Sequence, residues 1–382
     1  MRYAALFSFI LLLGLSGCNR GDDDRSAVFV TLLGTDTLAV EQFTYLPDGM
    51  EAKVVLRTPR TTVQDYRLTL APNGNFQRMT MTAAPPGQAP TMERTFELVG
   101  DSLRLTQVED GATTTRMLEG SADMLPFLDM IHWPFDLMLH RAYTSEQDTV
   151  IQPLFTGGRT LPFRLTRTGD GTMEARHPSR GPMQVAVDSE GHLLRLDAGA
   201  TTRKVLVTRL PMMNLDGVAQ RFAQRDAAGN SFGDLSGRGE TVATVDGATI
   251  TVDYGQPLRR GRTIWGKLVP YGQVWRTGAN RATHFTTTRA LQMGNLRVPA
   301  GTYTLFTIPA QDGGVLIVSK QTGQGGTSYD EAQDLGRVNA SIANLPSPVE
   351  AFTIAVLDLP DGGQLQLQWN EKAMVVPFRV VQ

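Results

Sequence analysis

The sequence predicts a mainly β protein with an N-terminal antiparallel curved sheet that carries one helical insertion, and a C-terminal antiparallel β-sandwich. Short runs rich in β-branched and aromatic residues follow one another through most of the chain, which is typical of strands. Turn sequences such as Pro-Asp-Gly and Gly-Asp-Gly separate these runs and supply the backbone angles of hairpins. A chain of 382 residues is longer than one hydrophobic core usually supports, so we expect two domains.

Residues 1–17 are typical of a bacterial lipoprotein signal peptide. Arg2 is the only charge before an apolar run at 4–13, which is much shorter than the roughly 20 residues that span a bilayer. The run ends in Leu-Ser-Gly-Cys, which resembles the lipobox that precedes lipidation. We therefore expect cleavage before Cys18 and lipid on its thiol, which would attach the protein to a membrane. Cys18 is the one cysteine of the chain, so no disulfide or thiolate metal site is expected.

The polar residues 18–27 are typical of a flexible lipidated tether. We expect a location in the cell envelope, anchored to the outer membrane on its periplasmic face or at the cell surface. Asn19 follows the lipidated cysteine, which in the best-known sorting system means release to the outer membrane, and the acidic cluster at 22–24 resembles surface-export signals. The membrane, contacted through the lipid anchor, is the first expected partner. The 36 basic and 38 acidic side chains form no basic run, so nucleic acid is not an expected partner.

The N-terminal β domain is predicted at 28–210, with a helical insertion at 121–142. Apolar residues of the insertion fall near helical spacing, and Pro134 is expected to break or kink the helix. A curved sheet with one helix in its concavity is similar in architecture to the half-barrels of periplasmic lipoprotein carriers. A helical and Gly-rich linker is predicted at 211–240. The sandwich at 241–382 is predicted from seven further runs separated by Gly-containing turns.

The C-terminal part contains five distinctive segments in order: Val252–Pro257, Arg260–Gly266, Leu268–Gly272, Val274–Asn280 and Val298–Leu305. Through these segments the chain, from about residue 216 to the end, resembles the family known as domain of unknown function 2911. The family implies no established activity. This chain has Arg281 where the family commonly has glutamate or alanine. It has Gly325 where the family commonly has tryptophan.

The segment 254–284 is unusual for a β domain because it combines arginines and aromatic rings with glycines that interrupt regular structure. Guanidinium groups and aromatic faces suit sugars and carboxylates. Two interpretations stay open: a structural loop whose indoles close the end of the sandwich, or a ligand site. The candidate ligand-binding residues are Tyr254, Arg262, Trp265, Tyr271, Trp275, Arg276, Asn280 and His284.

Catalytic and metal-binding motifs are weak in this sequence. The five histidines lack the spacing of zinc ligands, so no metal site and no cofactor are predicted. The one G-x-S-x-G match, at 229–233, falls in the Gly-rich linker, where a nucleophile elbow is not expected.

These observations favour an envelope lipoprotein that binds a ligand or partner without catalysis, the ligand being a small molecule, a glycan or a protein. The alternative is a hydrolase or lyase that acts on an envelope polymer. Catalysis needs a titratable group beside the ligand, so the alternative requires Asp253, His284 or Glu350 to meet the indoles in one cleft.

Overall fold

A computed structural model describes residues 26–381. The signal peptide, Cys18 and most of the tether lie outside the described residues. The N-terminal domain contains a sheet of fifteen strands, and the helix α1 (Trp133–Tyr143) packs inside it. Its strands are β1 (Ser26–Leu33), β2 (Asp36–Leu46), β3 (Gly49–Leu56), β4 (Thr62–Leu70), β5 (Phe76–Ala84), β6 (Met92–Val99), β7 (Ser102–Glu109), β8 (Ala112–Glu119), β9 (Leu125–Pro126), β10 (Thr149–Phe155), β11 (Thr160–Gly169), β12 (Thr172–His177), β13 (Gly181–Val187), β14 (Leu193–Asp197) and β15 (Val205–Leu210).

These strands form one sheet in the order β8 to β1 and then β15 to β9, antiparallel except for the β9–β10 pair. Aromatic rings from distant strands meet inside the sheet, which shows that the sheet is curved. The Phe155 ring of β10 lies 4.9 Å from that of Phe76 on β5 and 5.2 Å from that of Phe96 on β6. The helix α1 fills the concave side, and its buried residues share one core with strands from both halves of the sheet.

The helix is shorter than the predicted insertion at 121–142. It begins at Trp133 because Pro134, which was expected to interrupt it, occupies its first turn, where proline is well tolerated. The carboxylate of Glu41 accepts hydrogen bonds from the backbone N–H groups of His132 and Trp133, at 2.7 and 2.8 Å. This buried carboxylate caps the positive end of the helix dipole.

A second helix, α2 (Leu215–Ala227), lies within the predicted linker and packs on the convex side of the sheet. Successive strand residues point to opposite faces, so Phe29 contacts the α1 side whereas Val28 contacts the α2 side. Because its apolar face is covered by the sheet, α2 is part of the N-terminal domain.

The C-terminal domain is a nine-stranded antiparallel sheet in the order β16-β17-β18-β21-β22-β23-β24-β19-β20. Its strands are β16 (Ser236–Val245), β17 (Ala248–Pro257), β18 (Thr283–Thr287), β19 (Leu291–Met293), β20 (Leu296–Val298), β21 (Gly301–Pro309), β22 (Gly314–Ser319), β23 (Asp334–Leu359) and β24 (Gly362–Val380). A short 3-10 turn, Glu331–Gln333, precedes β23.

The long strand β23 makes this sheet fold over itself. Its first part pairs with β22, whereas its last part pairs with β24 and lies against β16 and β17. The hydroxyl of Tyr254 on β17 accepts a hydrogen bond from the backbone N–H of Ile354, at 3.1 Å. The apolar core, which includes Phe285, Phe352 and Trp369, lies between the two layers. The predicted fold class is therefore confirmed for both domains. Within residues 26–381, no helix is long and apolar enough to cross a membrane.

Candidate functional site

A cleft of about 440 Å³ lies between the two domains, at the segment that joins β17 to β18. The N-terminal domain forms one wall with residues Leu33, Met130, Arg180 and Ala200–Lys204, and the C-terminal domain forms the other. The second wall includes Pro257, Arg262, Leu268, Val274–Arg276, Gly278–Asn280, Phe306, Gly326, Thr327, Tyr329 and Trp369. A cleft of this size can enclose a small molecule.

The two walls are held together by the turn between β1 and β2. Gly34 has a φ of +65°, and a Cβ at this position would lie 2.0 Å from the carbonyl oxygen of Arg260. The next residue, Thr35, donates its backbone N–H to the same oxygen at 3.1 Å. The buried guanidinium of Arg260 bonds to Asp36 at 3.2 Å and lies 3.8 Å from the centre of the Phe232 ring. This contact fixes the position of one domain against the other.

The indole of Trp275 forms the floor of the cleft. It stacks on Trp369 at 6.1 Å between ring centres and meets the edge of Phe352 at 5.1 Å. Its backbone exchanges two hydrogen bonds with Thr307 of β21, at 2.7 and 2.9 Å, which hold the loop against the sheet. The indole is half-buried, so it contacts the sandwich core and also lines the cleft. Trp275 therefore fits both of the interpretations that the sequence left open.

The loop that carries the cleft residues turns sharply against β17. A Cβ at Gly255 would lie 1.8 Å from the carbonyl oxygen of Ala279, so only glycine allows this approach. Thr277 and Asn280 adopt positive φ angles of 53° and 61°, which reverse the chain direction after Arg276. The closeness of Gly255 to Ala279 explains why glycine occupies the centre of the Asp-Tyr-Gly-Gln segment.

Three cations of the cleft have no carboxylate partner among residues 26–381. The guanidinium of Arg276 donates to the Gly278 carbonyl at 3.2 Å, and the Lys204 ammonium donates to that of Gly199 at 3.1 Å. The Arg262 guanidinium bonds to the carbonyls of Arg259 and Leu258. The hydrogen bonds that these three cationic groups make to described residues all go to backbone carbonyl oxygens.

The charges on the two walls repel one another. Burial lowers the pKa of Arg276, and the nearby charge of Arg203 lowers it further. Burial likewise lowers the pKa of Lys204, and Arg262 and Arg276 of the other wall add to this effect. Burial also lowers the pKa of Arg262. A cation whose charged form is disfavoured on two grounds is one that an anion would stabilise.

Two further arginines of the N-terminal wall share one carboxylate. Arg180 contacts Asp129 at 2.7 Å, and Arg203 bonds to the other oxygen of the same group. Within residues 26–381, the five cations of the cleft form ion pairs with a single carboxylate, that of Asp129, so the cleft keeps an excess of positive charge.

Four of the eight residues predicted for the ligand site line the cleft: Arg262, Trp275, Arg276 and Asn280. The other four do not. Tyr254 is buried in the sandwich, where its ring meets Phe352. The Trp265 indole donates to the carbonyl of Trp369 at 3.1 Å and packs on the core. Tyr271 lies beside Gly266. His284 lies on β18, where its Nε2 is 3.5 Å from the backbone nitrogen of Gly323.

The groups that catalysis would require do not meet in the cleft. Asp253 is bound by Arg238 at 2.8 Å and by Arg281 at 3.2 Å, on the outer face of β17. Glu350 accepts a hydrogen bond from the backbone N–H of Arg260 at 2.7 Å. No aspartate, glutamate or histidine is among the described residues that line the cleft.

Sequence reasoning missed the whole N-terminal wall. Arg180, Arg203 and Lys204 lie in turns beside β13 and β15, where exposed basic residues are ordinary and no motif marks them. Tyr329 and Trp369 were missed because they enter the cleft from elements distant in sequence. The positive φ of Lys204, 55°, is a structural feature that the sequence did not indicate.

The fold and the cleft define a two-domain β protein with a cationic cleft between its domains. Residues 236–378 match the family model described as protein of unknown function (DUF2911), which confirms the resemblance of the C-terminal part. The match begins at Ser236, the first residue of β16, so α2 and residues 211–235 of the predicted linker lie outside it. No curated protein matches the chain.

Two solved structures are similar to this chain at low identity. A DUF1089 family protein from Pseudomonas aeruginosa shares 13% identity with a TM-score of 0.31, covering 48% of this chain and 95% of that chain. A structure of botulinum neurotoxin type C shares 7% identity with a TM-score of 0.13, covering 93% of this chain and 89% of that chain.

Proposed function

We propose that this protein is an envelope lipoprotein, anchored to the outer membrane by lipid on Cys18, and that its interdomain cleft binds an anionic ligand without transforming it. The observation that carries the binding proposal is the set of three half-buried cations, Lys204, Arg262 and Arg276, which have no carboxylate partner among residues 26–381. The signal sequence and the lipobox carry the proposal of location.

The charge arrangement supports an anionic ligand because unpaired charges in a partly dry cleft are costly. Removing a cation from water without a counter-ion disfavours the folded state, and a bound anion recovers that free energy. Lys204 comes from one domain and Arg262 and Arg276 from the other. An anion between them would therefore neutralise both walls at once and strengthen the contact between the domains.

The aromatic floor supports a ligand that also has an apolar or ring-shaped part. The half-buried Trp275 indole can stack on a sugar ring or another flat group, while the arginines bind the acidic group. Tyr329 and Thr327 add hydroxyl groups at the same wall. A small acidic molecule or an acidic glycan matches this combination better than a neutral partner does.

The composition of the cleft favours binding over catalysis. General acid or base catalysis requires a side chain that exchanges a proton near neutral pH, commonly a histidine or a carboxylate. The described residues of the cleft supply arginines, Lys204, hydroxyl groups and aromatic rings but no histidine or carboxylate, and Asp253, His284 and Glu350 lie elsewhere. The hydrolase or lyase alternative therefore gains no support from the site.

Titration calorimetry with inorganic pyrophosphate tests the anion site, with potassium chloride at equal ionic strength as the reference. We expect pyrophosphate to bind the wild-type protein, and Arg276→Gln to weaken this binding by about tenfold or more, since losing a buried charge contact costs about 2 kcal/mol or more. Arg289→Gln is the matched control, because Arg289 lies in the C-terminal domain outside the cleft. Equal binding by all three proteins would refute the assignment.

A further inference from the structure

An inner chamber adjoins the cleft on its N-terminal side. It has a volume of about 30 Å³, and four residues, Met130, Arg180, Thr201 and Arg203, line both spaces. Most of its other walls are apolar and come from Phe127, Leu128, Phe135, Met183, Ala198 and Val205. At roughly 10 to 15 Å³ for each water-sized group, the chamber holds two or three non-hydrogen atoms.

His177 lines this chamber and has an unsatisfied hydrogen-bond donor. The residue is 4% exposed, and its Nδ1 accepts a hydrogen bond from the backbone N–H of Ser179 at 3.1 Å. Burial and the charge of Arg180 lower the pKa of His177 to about 4, so the ring is neutral at pH 7. Since Nδ1 accepts, the single ring proton is on Nε2, and this atom is buried with no partner among the described residues.

Arg203 supplies a second donor of the same kind. Its terminal nitrogen bonds to Asp129, but its Nε–H is buried without an acceptor in the described part of the chain. A buried donor without an acceptor costs about 1 to 3 kcal/mol. Both donors belong to residues that line one small chamber, where an oxygen atom of a water molecule or of a ligand could accept their hydrogen bonds.

We propose that the chamber receives a short acyl group of the ligand, whose carbonyl oxygen accepts hydrogen bonds from His177 and Arg203. The one carbon atom that the chamber can hold beside the carbonyl packs against Met130, Phe135 and Met183. The inference rests on the proposed function, because the acidic part of the same molecule lies in the adjoining cationic cleft.

A carbonyl group fits the chamber better than a hydroxyl or a second acidic group. A carbonyl oxygen offers two lone pairs and carries no hydrogen, so it can satisfy both donors. A carboxylate would meet the negative charge of Asp129, which also lines the chamber. The methionine side chains adapt easily to the shape of a small apolar group. The ligand is therefore an acylated acid, such as an N-acetylated acidic compound.

Calorimetric titration of the full-length protein with glutarate and with N-acetylglutamate tests this inference. Both probes carry two carboxylates, and only the second has an acetyl group. We expect N-acetylglutamate to bind about tenfold more tightly, which corresponds to about 1.4 kcal/mol. In His177→Phe, which removes the donor, and in Ala198→Val, which fills the chamber, we expect the ratio of the two affinities to fall to about one.

The control is Lys320→Met, because Lys320 is exposed and lines neither the cleft nor the chamber, and it should retain the tenfold ratio. If pyrophosphate binds but the two dicarboxylates bind equally, the chamber holds only water and the acyl inference is overturned while the anion site stands. A tenfold ratio that persists in both chamber variants would also overturn it. Failure of pyrophosphate and of both dicarboxylates to bind would overturn the proposed function itself.

Discussion

Removing the positive charge of Lys204 should stabilise the unliganded protein and weaken anion binding. Lys204 belongs to the N-terminal domain, yet Arg262 and Arg276 of the other domain lower its pKa together with burial. The Lys204 ammonium group donates a hydrogen bond to the exposed carbonyl of Gly199. The substitution Lys204→Met keeps the apolar stem and removes the repulsion across the domain contact.

The expected gain in stability follows from Coulomb's law. Two unit charges about 8 Å apart interact with about 1 to 2 kcal/mol in the dielectric of a partly solvated cleft. Screening by salt and the remaining exposure of the lysine reduce the total repulsion between Lys204 and the two arginines to about 1 kcal/mol. The lost bond to Gly199 offsets about 0.5 kcal/mol of this. The net gain of about 0.5 kcal/mol corresponds to an increase in Tm of about 1 to 2 °C.

The pH dependence provides an internal check with a definite sign. The folded-state pKa of Lys204 lies below its ordinary value of 10.5, so the wild-type penalty is complete only below that lowered pKa. As pH rises through the lowered pKa toward 10.5, the folded protein loses its proton before the unfolded chain does, and the penalty disappears. The advantage of Lys204→Met should therefore be largest below the lowered pKa and fade toward pH 10.5.

Differential scanning calorimetry at several pH values measures the stability, and pyrophosphate titration measures the affinity. Lys320→Met serves as the control because it removes an equivalent charge from an exposed site. A Lys204→Met protein that is less stable at pH 7, or that binds pyrophosphate as tightly as the wild type, would show that the cleft cations do not repel one another across the domain contact.

Three further predictions concern the core, the anchor and the domains. Asp136 is fully buried and accepts hydrogen bonds from Tyr45, His192, Leu193 and Arg209, so Asp136→Asn should destabilise the N-terminal domain by about 3 kcal/mol in a urea titration. The raised pKa of His192, caused first by its bond to Asp136, adds stability below pH 6.5 that fades as pH rises through that pKa, and the variant should lack this fading. Cys18→Ser should leave an uncleaved or soluble precursor, and its recovery in carbonate-washed membranes with the signal removed would argue against lipidation. A fragment spanning residues 236–382 should melt cooperatively by itself, since it contains all nine strands of the sandwich; a broad, non-cooperative melt would mean that the two domains share one core.

The fold could be predicted well from the sequence where alternation and turns were strong. Two strands, β8 and β16, have weak sequence signals, and each has an identifiable physical reason. Strand β8 is an exposed edge strand of mostly polar residues, so it shows no apolar alternation. Strand β16 begins in the Gly-rich stretch assigned to the linker, and its pairing with β17 supplies the order that its composition does not. Long-range pairing of this kind overrides local propensity.

The sequence predicted the C-terminal wall of the candidate site in part, and it did not indicate the N-terminal wall, which the chain topology brings from distant segments. The segment around Trp275 and Arg276 was recognisable because arginines, indoles and glycines rarely alternate in a structural strand. Which side chains face the cleft depended on tertiary contacts, such as the approach of Ala279 to Gly255. Trp265 resembles Trp275 in sequence context, yet its indole bonds to the carbonyl of Trp369 and does not line the cleft.

The position of the cleft limits what the C-terminal family can explain about this protein. The matched residues 236–378 supply Arg262, Trp275 and Arg276, but Arg203 and Lys204 belong to the N-terminal domain. Without the second wall, the arginines would be more exposed, and an exposed ion pair contributes only about 0 to 1 kcal/mol. The contact between Gly34 and Arg260 brings the walls together and makes the proposed anion site partly dry. The proposed binding would therefore depend on both domains, and substitutions at Gly34 should weaken it although Gly34 is not among the residues that line the cleft.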